Sequence, residues 1–576
     1  FYAHNLIYDW GVLFQDETQG WSIYRARGKL IKCVYTDSSK HGWTFYDTAN
    51  LSAFQSLEAL GKIIGLEKYE TPDYLKAEGG KYIKRSELTL EQLKEVETYV
   101  IRDAEIVYRY ARFFQDVVRD LGGEVKATIA STAMDCYRRS YIDRDYKTPS
   151  PALNRHSRKA YYGGRTEAII LGHQDGVYGF DVHSMYPSIM RDIELPDPDT
   201  LRCVIRTACI DYIWKYEGIT YCRIKCPVMH IPLLPVRIHG RLVFPTGVFC
   251  GAWTHLELRR ALEAGYKILR LGWQLIARDT CKPFTQWVDR LYTMKREAQD
   301  RADPSYFVYK TLLNSLSGKF GQRSDGGYSR LTNIADYPDF VHTKGLELLQ
   351  WQGDYYIQQP LMGGIQPCYV IVIWIAYITS AARIQVWEAL VRQGESATYC
   401  DSDSVMGKVK IKTGPELGQW GRQFGPSSIE VRAEKYYRYQ GDNGDWTYRK
   451  ASVRADRQAE FWEEGKTFWY RPTKLGEAMV SGSRVSIWKW QPKKDLPRHF
   501  KRCPLADDWR EGEAIATRPW DYEEAKAYYK DAPAILPWRE GGDIEDDIRR
   551  DWELRVLRDW VKHQQIENRS WERGDR

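Results

Sequence analysis

Two carboxylates one residue apart, Asp401 and Asp403, close a short apolar approach that runs Ala397-Thr398-Tyr399-Cys400. On a strand or in a tight hairpin, positions i and i+2 face the same way, so both acids point into one space. Like charges held that close repel unless a cation lies between them. Oxygen ligands completed by water and substrate phosphates are what Mg²⁺ prefers, so the pair points to a divalent-metal site. A third acid, Asp181, ends the alternating run Gly176 to Asp181 and precedes Ser184-Met185-Tyr186-Pro187. Any one of these acids alone reads as an ordinary turn or surface residue.

A basic helical stretch, Leu291 to Phe320, spaces Lys295, Arg296, Lys310 and Lys319 among apolar positions. As charge spacing by itself this is a solvated helix face. Lys310 and Asn314 stand one turn apart on one face, which adds a phosphate-neutralising cation and a polar reader of a base or sugar. Acids, metal and cation together fit phosphoryl transfer.

The chain's 576 residues suffice for three to five units of about 100–200 residues each. With 43% hydrophobic and 28% charged residues, disordered, collagenous and fibrous classes are excluded. A net charge of +7 suits a polyanionic partner without identifying one. The 22 Trp and 40 Tyr are expected mainly in cores, with some available to stack on bases. Eleven scattered Cys indicate a reduced compartment. In the one cluster, Cys203, Cys209, Cys222 and Cys226, the alternation of Cys222, Ile224 and Cys226 with Arg223 and Lys225 favours a half-buried strand over zinc. The apolar run Cys368 to Ala382 is too short to span a membrane and reads as a buried strand and helix. No signal peptide is recognised and the sequence starts at Phe1, as a fragment or processed product does.

The first 150 residues read as an α/β unit, with a strand at Trp43 to Tyr46 and helices at Leu51 to Leu66 and Leu90 to Val118. Residues 192–284 read as a strand-rich insertion, and 326–367 as a hairpin insertion. Past residue 500 dense mixed charge with Trp, above all Asp543 to Arg576, reads as an exposed helical appendage or partly disordered tail.

Three stretches in order resemble the motifs of family B DNA polymerases: Asp181-Val-His-Ser184-Met-Tyr186-Pro187 motif A, Lys310-Thr-Leu-Leu-Asn314-Ser315-Leu-Ser317-Gly318-Lys319-Phe320 motif B, and Tyr399-Cys-Asp401-Ser-Asp403-Ser404 motif C. Tyr161-Tyr162-Gly163-Gly164 is similar to the Tyr-x-Gly-Gly motif, and Lys435-Tyr436-Tyr437 to Lys-x-Tyr. The two insertions add a likeness to the protein-primed branch of bacteriophages and linear plasmids. The fold class implied is α/β and α+β multidomain: an incomplete RNase H-like 3′-5′ exonuclease domain, then a right-hand palm, fingers and thumb. Expected boundaries are 1–125 exonuclease, 126–191 connector and palm start, 192–284 first terminal-protein-region-like insertion, 285–325 fingers, 326–367 second insertion, 368–437 palm, 438–500 thumb and 501–576 charged extension.

The resemblance implies that Asp181 and Asp403 hold two Mg²⁺ ions, with Mn²⁺ a possible substitute, and that Asp401 supports them. It assigns the incoming triphosphate to Lys310, a triphosphate oxygen or the motif A backbone to Ser184, sugar selection to Tyr186 and the nascent base pair to Asn314. DNA contacts fall to Tyr161, Gly163, Gly164, Lys435 and Tyr437. In the N-terminal unit, Asn5, Asp9, Tyr99 and Asp103 match the second and third exonuclease motifs. The first motif, Asp-x-Glu, is expected before residue 1. Neither Asp192-Ile-Glu194 nor Asp16 and Glu17 can replace it by order, so proofreading is expected to be impaired. Ser317 stands where the family commonly has Tyr, and Ser402 where Thr is usual. Implied partners are template and primer DNA, dNTPs and a terminal protein, with a monomer inside the host cell of a phage or plasmid and no membrane. The rival readings are a silent DNA- or terminal-protein-binding relative, a family B enzyme using ordinary or no primers, and an RNA-copying enzyme.

Overall fold

The computed structural model describes residues 1–13, 19–26, 29–75, 87–205, 207–323, 328–333, 347–351, 354–360, 366–472, 488–494, 500–505 and 513–530. Asp16, Glu17 and the tail Asp543 to Arg576 lie outside them.

The organising element is a mixed-partner strand, Ile170–Val182, in a nine-stranded sheet. It pairs antiparallel with Ser404–Gly407 on one side and with Trp420–Ala433 on the other. The sheet continues through Tyr436–Gln440 and Trp446–Lys450 in one direction and through Ala397–Asp401 and Thr166–Ala168 in the other. It therefore runs to Lys450, past the boundary expected at 437. One long helix, Val372–Gln393, is buried on nearly all sides, from Val372 to Tyr377 and on to Leu390. The run Cys368 to Ala382 feeds this helix alone and forms no strand, because an all-round apolar pattern suits a helix enclosed by neighbours as well as a central strand. Among the described residues no helix is long and apolar enough to cross a membrane.

Within 192–284 four strands, Arg202–Val204, Glu217–Cys226, Gly247–Thr254 and Lys267–Ala277, form a separate antiparallel sheet. Cys222, Ile224 and Cys226 are buried while Arg223 and Lys225 are exposed, the alternation expected of a strand with one wet face. The helix His255–Glu263 covers the inner side. His255 is fully buried, its Nδ1 2.7 Å from the Tyr216 carbonyl and its Nε2 2.9 Å from Thr220 Oγ1. A carbonyl only accepts, so Nδ1 carries the proton and the ring is neutral.

The N-terminal sheet orders Tyr2–Ala3, Gly42–Asp47, Lys29–Thr36 and Trp21–Ala26, and then continues into Tyr328–Asn333, Asp354–Pro360 and Glu347–Trp351. The second insertion thus supplies a hairpin and a further strand that pairs directly with Trp21–Ala26. Leu331 lies in the core of Leu6, Trp10, Trp21 and Ile23.

The described part of the extension past 500 corrects the reading of it as an exposed appendage. Ile515–Arg518 pairs with the start of the organising strand, and the helix Tyr522–Tyr529 buries Ala525 and Tyr529. Arg502 is buried beside Glu167 and Arg165, donating to the His230 and Thr517 carbonyls. Mixed charge hid this because the charges are compensated inside.

Burial, followed by the Arg259 charge, pushes His255 down to about 4. The unfolded chain then binds the extra proton between pH ~6.5 and ~4, so stability is full above that window and is lost on acidification through it. Acidification across it is expected to remove ~3 kcal/mol. Denaturant midpoints measured from pH 7 to 4 should fall less steeply in His255→Gln; equal slopes would dismiss the neutral buried ring.

Candidate active site

The strand register brings the three sequence-distant acids together. Asp181 pairs with Ser404, Asp401 pairs with Ser404 across the hairpin, and Ser402-Asp403 form its turn. Ser402 takes a left-handed φ of 59°, and the turn is held by Asp403 N to Asp401 O at 2.7 Å, Ser402 N to Arg165 O at 2.7 Å and Val182 N to Asp403 O at 3.0 Å. Asp181, Asp401, Asp403, Lys435 and Tyr437 all line one open, polar cavity of about 520 Å³.

The acids are electrostatically unequal. Asp401 accepts from Thr166 Oγ1 at 2.9 Å and pairs with Lys435 Nζ at 3.2 Å. Lys435 has a left-handed φ of 57°, and its backbone N–H donates to Tyr399 Oη at 2.9 Å. Among the described residues neither Asp181 nor Asp403 is in an ion pair, and Lys435 acts on Asp403 only through its field. Burial and the Asp403 charge push Asp181 up to about 7, and burial with the Asp401 charge raises Asp403 against the opposing pull of Lys435. Among the described residues no group of three or more acidic, His or Cys side chains is spaced to hold a metal. The candidate is the pair Asp181 and Asp403, and two oxygen donors that repel each other fit a hard cation whose other ligands are water and phosphate.

Ser184 follows the Asp181 strand at a left-handed φ of 51° and accepts from Lys295 Nζ at 3.3 Å. Lys310 and Asn314 are exposed on the helix Ser305–Ser315. Burial, then the charges of Lys310 and Arg296, lower the pKa of Lys295, so these lysines form a cationic group next to Ser184. Lys295 was legible only as one charge of a basic face, since its partner is 111 residues away. Tyr186 is half-buried, and burial raises its pKa against the opposing pull of Arg383. Ser317 is buried at the start of the turn Ser317–Phe320, and Lys319 donates to Gln322 Oε1 at 2.7 Å and Ser131 Oγ at 3.2 Å, burial lowering it to about 8.

In the Tyr-x-Gly-Gly segment, the Tyr161 carbonyl accepts from Arg237 and the Gly163 carbonyl from Arg383. A Cβ on Gly164 would stand 2.8 Å from Ser402 Oγ and 3.1 Å from its Cα, so only glycine lets this segment abut the acidic turn. Gln423, Tyr439 and Arg449 line the same cavity and carried no sequence signal.

The exonuclease-like residues make two separate sets of contacts. Asn5 N and Ala49 N donate to Asp47 at 3.0 and 2.9 Å, and burial followed by the Asp47 charge pushes Asp9 up to about 6. Lys68, unforeseen in the sequence, donates to Tyr99 Oη at 2.6 Å and pairs with Asp103 at 3.1 Å.

A family model described as DNA polymerase type B, organellar and viral, matches residues 23–346. The chain is 28% identical over 384 residues to the DNA-directed DNA polymerase of Enterobacteria phage PRD1, covering 63% of this chain and 63% of that protein. It is 26% identical over 335 residues to a probable DNA polymerase of Neurospora intermedia, covering 54% of this chain and 33% of that one. The chain thus spans between a third and just under two thirds of these relatives. Phi29 DNA polymerase complexed with primer-template DNA shares the fold, with a TM-score of 0.64 at 16% identity over 86% of this chain and 90% of that one.

Thr166 should carry the orientation of Asp401. A hydrogen bond to a charged group contributes ~1.5–3 kcal/mol, so Thr166→Val is expected to lose about that much in chemical denaturation while Thr166→Ser keeps it. Equal stability of the two variants would show that the hydroxyl is idle.

Proposed function

Since the chain belongs to the type B DNA polymerases of organelles and viruses, we propose that it is a template-directed DNA-dependent DNA polymerase that adds dNMPs to a primer end. The observation that carries this reading is the mutually repelling pair Asp181 and Asp403 in one cavity beside a third acid paired with Lys435. A divalent cation held by the pair, Mg²⁺ or Mn²⁺, would supply Lewis-acid polarisation of the 3′-hydroxyl and charge stabilisation of departing pyrophosphate. Asp401 keeps the turn rigid through Thr166 and Lys435.

On the opposite side, Lys295 and Lys310 take the triphosphate, whose negative charge relieves their mutual repulsion. Ser184, already bonded to Lys295, lies at the same phosphates. The half-buried Tyr186 ring limits the room at the sugar and so excludes a 2′-hydroxyl, and Asn314 meets the nascent base pair. Tyr161, Gly163, Gly164, Lys435 and Tyr437 follow the DNA, with Arg449 and Tyr439 extending that wall. Phosphate contacts dominate, so binding is independent of sequence and falls with salt. Terminal-protein priming is the mode we infer, supported by the separate four-stranded sheet inserted between the strand of Asp181 and the helix of Lys310. The grouping of Lys68, Tyr99 and Asp103 supports a nuclease ancestry for the N-terminal unit.

Asp403→Ala is expected to abolish Mg²⁺-dependent primer extension while leaving primer-template affinity within about threefold, because phosphate contacts supply most of the binding. Lys295→Ala and Lys310→Ala should each raise KM for dNTP ~10- to 100-fold, the loss of one charge-assisted contact. Normal extension by Asp403→Ala would refute the acid assignment. Labelled dNMP transfer onto a candidate protein hydroxyl, absent without that protein, checks the priming mode.

A further inference from the structure

One face of the inserted sheet packs Cys222, Ile224 and Phe249 in a core with Leu258 and Ala261, and one end of the other face packs Ile219, Ala252, Trp273 and Leu275 into a second core. The far end of that other face carries two consecutive rows of like charge. Register places Arg223 opposite Arg270 and Lys225 opposite Lys267. The third strand adds only Cys250 and Val248 to those rows. All four cations are exposed. The acids on the adjoining elements, Glu217 and Glu263, are already bonded to Arg259 and Arg260, and among the described residues none of the four cations is in an ion pair.

Directly opposed like charges on neighbouring strands, with Cβ atoms ~4.5–5.5 Å apart, destabilise a sheet. Two such pairs in succession impose a cost on the fold that a bound polyanion removes. We propose that this face binds the phosphate backbone of DNA, outside the cavity that holds Asp181 and Asp403. The rows contain no aromatic side chain, whereas protein interfaces centre on aromatic and aliphatic anchors. Nucleic-acid interfaces are instead strongly cationic and polar. Spacings of ~4.8 Å between strands and ~6.8 Å between Arg223 and Lys225, with a bulge between Ile268 and Arg270 on the facing strand, make a grid of charge that follows a backbone and reads no bases. The choice of DNA among polyanions rests on the polymerase reading.

The test compares wild type with Arg223→Gln/Lys225→Gln/Lys267→Gln/Arg270→Gln, which removes the opposed charges and leaves the buried face untouched. Thermal melting should show the variant folded and no less stable. Affinity for a long primer-template duplex is measured at several salt concentrations. Each lost phosphate contact lowers the slope of log K against log salt by ~0.9, so the variant's slope should be shallower by ~2 to 3.6. Between 50 and 200 mM salt the wild type should lose roughly 10- to 100-fold more affinity than the variant. Primer extension at saturating DNA, run on both proteins, should be equal, and its absence in the wild type would overturn the polymerase reading instead. An unchanged slope overturns the proposal, and so does a loss confined to binding of polyglutamate.

Discussion

Arg383 is fully buried, and its guanidinium reaches three parts of the chain at once. It pairs with Glu257 at 2.9 Å and donates to the Tyr162 and Gly163 carbonyls, each at 2.9 Å, while Ser380 Oγ donates to the other Glu257 oxygen at 2.8 Å. The long helix, the inserted sheet's helix and the glycine segment are thereby fixed to one point. Removing one member of such a buried pair leaves an uncompensated charge and costs ~3–5 kcal/mol, although an apolar replacement of both can be neutral. What the pair secures is geometry. Gly163 passes directly into Gly164, which abuts Ser402, so the position of the acidic turn depends on an arginine that never meets the cavity.

Two like-charge groupings stand out, Asp181 with Asp403 in the cavity and Lys295 with Lys310 beside Ser184. Each is unfavourable alone. Such local conflict, surrounded by satisfied hydrogen bonds, is what functional sites carry where the rest of a fold is consistent. The cations on the outer face of the inserted sheet repeat the pattern at a distance.

The acids were legible because their signals are local: Asp401 and Asp403 share a turn, and Asp181 ends an alternating run. Their companions were not. Thr166 reaches Asp401 across 235 residues, and Lys295 reaches Ser184 across 111. No periodicity encodes such pairings. The alternation around Cys222 correctly foretold a strand with one wet face, because period two reports burial directly. The run Cys368 to Ala382 misled, since enclosure on all sides erases any period. Past residue 500, composition pointed to solvent while Arg502 and Thr517 lie inside, bonded to each other and to the His230 and Ile169 carbonyls, with Arg502 Nη1 3.9 Å from Glu167.

The pairing of Ile515–Arg518 with the organising strand has a temporal consequence. Thr517 Oγ1 donates to Ala168 O across 349 residues, and Thr517 N donates to Ile169 O at 3.0 Å. A chain emerging from the ribosome at about 5–20 residues per second exposes the organising strand of this sheet tens of seconds before Ile515–Arg518 exists. Until then that sheet has an open edge of unpaired backbone groups. Completion of the sheet is thus timed by translation of Ile515–Arg518, and termination upstream of that strand leaves Asp181, Asp401 and Asp403 on a sheet that lacks this partner.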